Sequence, residues 1–181
     1  KLAGIESNTL AILPSIVIGS LSVICTLISM SIIDRIGRRT LYFIGMSGMT
    51  LSLAGMGFSF FMEEQLGDSL KYFAMASTFL YIIFFAVSLG PLAWLIISEV
   101  FPLKVRGVGM SIGSLSVWLF NAIVTFTFLK LVNALTPAGA FWVYGTIGIL
   151  ALFWGNRYLP ETRGVSLESL EQHWKEKSHL R

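Results

Sequence analysis

The chain has 181 residues, of which 55% are hydrophobic and 13% charged, about half the ~25% charged content of a soluble domain. Its net charge is +3 and its mean hydropathy +0.76. These values exclude a soluble enzyme or a nucleic-acid-binding module, because whole segments are apolar where a soluble helix would carry one apolar stripe and a charged opposite face.

Five apolar stretches, at about 10–33, 40–62, 72–97, 108–132 and 138–158, each exceed the ~20 residues a membrane helix needs. The sequence therefore predicts an all-α integral membrane protein, with a bundle over 1–159 and a charged tail over 160–181. Span one has Pro14 in its first turns and ends at Asp34, and Cys25 within it is expected to be a buried packing residue. The loop Asp34-Arg35-Ile36-Gly37-Arg38-Arg39 is short enough to make spans one and two antiparallel neighbours. Span two is rich in small residues. Gly45, Gly48, Ser52 and Gly55 recur at three- and four-residue spacing, which lets helix backbones approach closely. Glu63, Glu64 and Asp68 lie in the following loop.

Span three carries the most chemistry. Gly90-Pro91 interrupts it at mid-depth, Trp94 follows one turn later, and Glu99 lies near its end, seven residues before Arg106. Pro91 cannot donate a backbone hydrogen bond, and in hydrocarbon such an interruption survives only against protein or a polar cavity. Two readings follow: a plain proline kink, or a broken helix at a midplane substrate site. On span four, Asn121 is a mid-span amide, costly unless it finds a partner. Trp118 beside it could simply face lipid. Thr136-Pro137-Ala138-Gly139 makes a short turn into span five. After Pro160, Ser166 can cap a short amphipathic helix with Leu167, Leu170 and Trp174 on one face, too short and too charged to span.

Of the 13 Lys and Arg residues, all but Lys1, Lys71 and Lys130 fall on one side of a five-span arrangement. The positive-inside rule then places the Arg-rich loops and the C-terminus in the cytoplasm. Five spans ending inside put Lys1 outside; with no initiator Met, this is expected of the tail of a longer protein. Asp34, Arg35, Arg38, Arg39, Glu99, Arg106, Glu161 and Arg163 gather at cytoplasmic span ends. They are either flanking charges that set topology or, since Arg forks hold carboxylates in fixed geometry, a latch between helices.

Four motifs in order resemble a family. Asp34-Arg35-Ile36-Gly37-Arg38-Arg39, Gly90-Pro91-Leu92-Ala93-Trp94, the stretch Glu99 to Arg106, and Pro160-Glu161-Thr162-Arg163-Gly164 are similar to those of sugar porters of the major facilitator superfamily. The resemblance covers essentially the whole chain and implies helices eight to twelve of a twelve-helix fold. It further implies a missing N-terminal six-helix half of the same protein, and a short cytoplasmic C-terminal helix here. It implies that Trp94, Trp118 and Asn121 line a monosaccharide site, with Gly90 and Ser22 beside them. Trp can cover the apolar face of a pyranose, and an Asn amide both donates and accepts. Gly90-Pro91 becomes the gating hinge, and the Arg–carboxylate clusters become a cytoplasmic latch.

Two departures from the family pattern bear on mechanism. Ala86 stands where facilitative animal transporters carry a sugar-binding Glu, and Ser22 where many members carry Asn. Ala86, Phe141-Trp142-Val143-Tyr144 and the tail from Val165 to Glu171 resemble bacterial sugar–proton symporters. The resemblance thus implies hexose or pentose transport by alternating access in a bacterial inner membrane. Its coupling would be a proton gradient, with no bound cofactor. The proton-carrying carboxylate would belong to the N-terminal half. A facilitator and a transporter-like sugar sensor are the alternatives, though a tail of ~20 residues leaves a sensor little room to signal. A membrane enzyme would need a mid-span nucleophile–base pair, paired acids or a metal cluster. The two histidines, His173 and His179, lie instead in the tail, and no Asp or Glu lies at mid-span.

Overall fold

The computed structural model describes residues 8–101 and 105–159, apart from the side chains of 8–14, Asp34 and Val100. Every regular element among them is helical: α1 (Asn8–Ile36), α2 (Arg38–Phe61), a one-turn α3 (Glu63–Leu66) followed by a 3-10 turn (Gly67–Ser69), α4 (Leu70–Phe84), a π-helical turn (Phe85–Leu89), α5 (Gly90–Val100), α6 (Arg106–Leu135) and α7 (Pro137–Tyr158). With α4, the π turn and α5 forming one continuous rod, five helices are long and apolar enough to cross a membrane. These run over Ser15–Ile33, Arg38–Phe61, Glu63–Glu99, Arg106–Leu135 and Pro137–Tyr158. The expected tail helix, Glu161 and Arg163 lie outside the described residues.

The connections are tighter than the sequence suggests. Between α1 and α2 only Gly37 remains, at φ 96° and ψ 148°, a backbone region essentially reserved for glycine. Even so, α1 packs less on α2 than on the π turn and its rod. A short loop fixes chain direction, and side-chain fit decides the neighbour. Between α6 and α7 only Thr136 remains. Its hydroxyl caps α7 by accepting from the Gly139 N–H at 3.3 Å, and Pro137 occupies the first turn, where its missing donor costs nothing.

Helix α2 is the centre of the bundle, packed on α4 and α7. In lipid, apolar area alone does not drive helices together, so close approach at small residues must. The structure shows it at each contact. Gly45 lies against Ser88 and Gly48 against the Phe84 ring, while Gly57 receives Trp142 and Gly155 of α7 receives the Tyr42 ring. Hydroxyls on α2 are satisfied within the helix: Ser52 and Ser59 donate to the carbonyls of Gly48 and Gly55, each at 2.8 Å. Toward the end that carries the Arg-rich turn, Ile33, Leu41, Tyr42 and Leu92 form a buried cluster joining α1, α2 and α5. Cys25 is buried with a free thiol.

Candidate functional site

Span three is not broken. The chain accommodates Pro91 by widening the preceding turn. Gly90 N–H reaches back five residues to the Phe85 carbonyl, and Pro91 begins a fresh α segment in its first turn. A single π turn places one extra residue in the helix and so re-aims everything after it. Trp94 follows directly, with 43% of its surface exposed. Ala86 and Ser88 of the same turn are buried against the bundle.

Helix α5 adjoins α1 on one side and α6 on the other. At the α6 contact Gly113 and Gly109 accept Ile97 and Phe101. The candidates Ser22, Gly90, Trp94, Trp118 and Asn121 therefore lie on three adjoining elements. The Ser22 hydroxyl is taken by its own helix, donating to the Ile18 carbonyl at 2.9 Å. Trp118 is 66% exposed and Asn121 is exposed. No residue is buried within the most apolar 18-residue stretch of α6. The Asn121 backbone carbonyl accepts from Thr125, and its side-chain amide makes no hydrogen bond among the described residues. The two indole rings are not in ring contact with each other. Trp94, Trp118 and Asn121 are thus exposed, and none of them lines the cleft between α4 and α6.

The charged cluster is partly assembled. Arg38 Nη2 donates to Glu99 Oε1 at 3.1 Å, with the side chains 13% and 19% exposed, so α2 and α5 are joined by a mostly buried ion pair. Arg39 Nη2 donates to both the carbonyl and Oδ1 of Asn156, each at 3.1 Å. Arg35 is exposed in the last turn of α1, where positive charge suits the helix dipole. Arg106 opens α6 with a buried Nε that has no hydrogen-bond partner. Among the described residues it forms no ion pair with Glu99. The ion pair that Glu99 makes across helices is the one to Arg38. Asn156 carried no sequence signal, because its role depends on where α7 ends relative to α2.

A cleft of about 540 Å³ lies between α4 and α6 above a floor of α2 and α7, lined by Met49, Thr78, Tyr81, Phe128 and Tyr144 among others. None of the candidate sugar-site residues lines it. Its hydroxyls are largely committed: Thr78 donates to the Ala74 carbonyl at 2.8 Å and Tyr144 to the Val124 carbonyl at 3.5 Å. Such a surface suits an apolar occupant, not a polyhydroxylated one.

Over residues 1–174 the sequence matches the family described as "Sugar (and other) transporter". The chain belongs to that family. It is 34% identical over 170 residues to the major myo-inositol transporter IolT of Bacillus subtilis, covering 93% of this chain and 36% of the relative. To D-xylose-proton symporter-like 1 of Arabidopsis thaliana it is 39% identical over 169 residues, covering 93% and 33%. A facilitated trehalose transporter homologue of Drosophila sechellia is 35% identical over 170 residues, covering 93% and 34%. Among solved structures it is similar to the major facilitator superfamily proton:xylose symporter XylE of E. coli bound to 6-bromo-6-deoxy-D-glucose, with a TM-score of 0.83 and 32% identity over 96% of this chain and 37% of that one. The chain spans about a third of the length of these relatives, which are transporters.

Proposed function

We propose that the protein moves a monosaccharide, a hexose or pentose, across a membrane by alternating access. This chain would supply helices eight to twelve of a twelve-helix fold and most of one wall of the sugar site. The observation that carries the reading is that Trp94, Trp118 and Asn121 stand exposed on two contacting membrane-spanning helices, α5 and α6. An amide in that position is costly against lipid and favourable against a hydroxylated ligand. Ser22 and Gly90 are assigned to the same site. The other wall, and the partner that closes the site, would be the N-terminal half of the same protein.

In this reading the π turn and Gly90-Pro91 are the flexible point of the rod, and Arg38–Glu99 is a latch at its cytoplasmic end. Arg35, Arg39 and Arg106 are counted with that latch, as are Asp34, whose side chain is not described, and Glu161 and Arg163, which lie outside the described residues. The bias of basic residues places these turns and the C-terminus in the cytoplasm, with a bacterial inner membrane as the setting. Proton symport is the favoured coupling, supported by Ala86 in place of a Glu and by the symporters among the relatives. No bound cofactor is required. Uncoupled facilitation is the second reading, favoured by the facilitated trehalose transporter homologue.

Vesicles containing the full-length protein, loaded and diluted into radiolabelled xylose, galactose or glucose, test both. Exchange of label together with accumulation driven by an inward proton gradient supports symport. Exchange without accumulation supports facilitation. Absence of either, with the protein correctly inserted, overturns monosaccharide transport.

A further inference from the structure

Two adjacent arginines open α2, and the structure sends them to different helices. Positive charge at a helix N-terminus is opposed by the macrodipole, and Gly37 provides no side-chain cap. Arg38 finds compensation at Glu99 of α5. Arg39 finds it at the end of α7, where one nitrogen meets both Asn156 oxygens while the guanidinium lies 5.9 Å from the Phe43 ring centre. The Asn156 carbonyl belongs to the last turn of α7, whose carbonyls have no donor within the helix. Positive charge there is favourable. The Asn side chain adds a second acceptor beside it, making a two-oxygen seat that an apolar residue could not offer. One residue, Gly37, separates this turn from α1.

We propose that Asn156 is a positioning residue for the cytoplasmic latch: by seating Arg39 on the end of α7, it fixes the first turn of α2 so that Arg38 reaches Glu99. The inference rests on the latch reading above. Among the described residues Asn156 bonds Arg39 and not Glu99, so it acts through the two arginines.

The test uses the full-length protein carrying Cys25→Ala and a reporter Ser98→Cys, labelled from the cytoplasmic side. Asn156→Leu removes one acceptor and should raise the labelling rate about two- to five-fold, the range for a partly exposed charged contact. Asn156→Asp keeps the acceptor and adds charge, so its rate should stay at or below that of the parent. In a Glu99→Gln background the same Asn156→Leu change should add nothing further, because there is no latch left to position. An equal rise in both backgrounds makes Asn156 an end-cap of α7 alone and overturns the proposal, as does no rise in either. If Glu99→Gln itself leaves labelling unchanged, the latch reading falls and this inference with it. A Glu99→Gln effect without an Asn156→Leu effect overturns only this inference.

Discussion

Trp94 and Asn121 place different demands on their surroundings. An indole is stable against lipid, so exposure of Trp94 on α5 says little until its position one turn beyond the π turn is considered. An amide is not stable there. Replacing Asn121 by Leu should leave insertion and folding intact, or improve them, yet abolish specific sugar binding; wild-type transport by this variant would place Asn121 outside the site. Trp94→Ala, at unchanged surface expression, should raise the sugar Kd more than tenfold, about 1.4 kcal/mol, as read by equilibrium binding. Gly37 is a structural counterpart. At φ 96° a Cβ is strained by about 1–3 kcal/mol, so Gly37→Ala should lower the unfolding temperature in detergent, and an unchanged temperature would show that the turn can relax.

At the scale of the elements, α2 was legible as a small-residue helix but its partners were not. Spacing of Gly45, Gly48 and Gly55 announces close packing; what meets each notch is a residue far away in sequence, Ser88, Phe84 and Ser77 respectively. Tyr42 shows the same limit. Its hydroxyl donates to the Ala151 carbonyl of α7 at 2.7 Å, a contact between residues with no local relation. Tyr42→Phe should cost about 1 kcal/mol by thermal unfolding, and Gly155→Leu considerably more, since it displaces the ring itself. The rod of α4 and α5 was read as interrupted at Gly90-Pro91, and the interruption proved to be a π turn just before it. Restoring the donor with Pro91→Ala allows that turn to relax toward α geometry and re-aim Trp94. Transport should fall while insertion is kept, and full activity would deny the turn a role in gating.

For the whole molecule the question is what the buried ion pair between α2 and α5 controls. A topology marker needs only positive charge, and Glu99 adds nothing to that signal. A latch needs the acid as much as the base. With both side chains mostly buried, loss of the pair is worth about 1–3 kcal/mol, so Glu99→Gln should shift the ensemble toward inward-open by about 5- to 150-fold. Orientation should be unchanged. Cytoplasmic labelling of a cysteine near position 98 measures it, and identical rates for variant and parent would reduce these residues to flanking charges.

The sequence by itself determined that this is a helical membrane protein with five spans and basic residues concentrated at one side. Its four ordered motifs carried the sugar-transporter family. Those properties follow from hydropathy summed over lengths of chain and from local patterns, which need no knowledge of neighbours. Only the tertiary structure decided that α2 is the hub, that Glu99 pairs with Arg38, and that Arg39 is seated on Asn156. Each of these depends on the register at which two helices pack, set by how side chains far apart in the chain fit into one another's glycine notches, and no local pattern along the sequence encodes that fit.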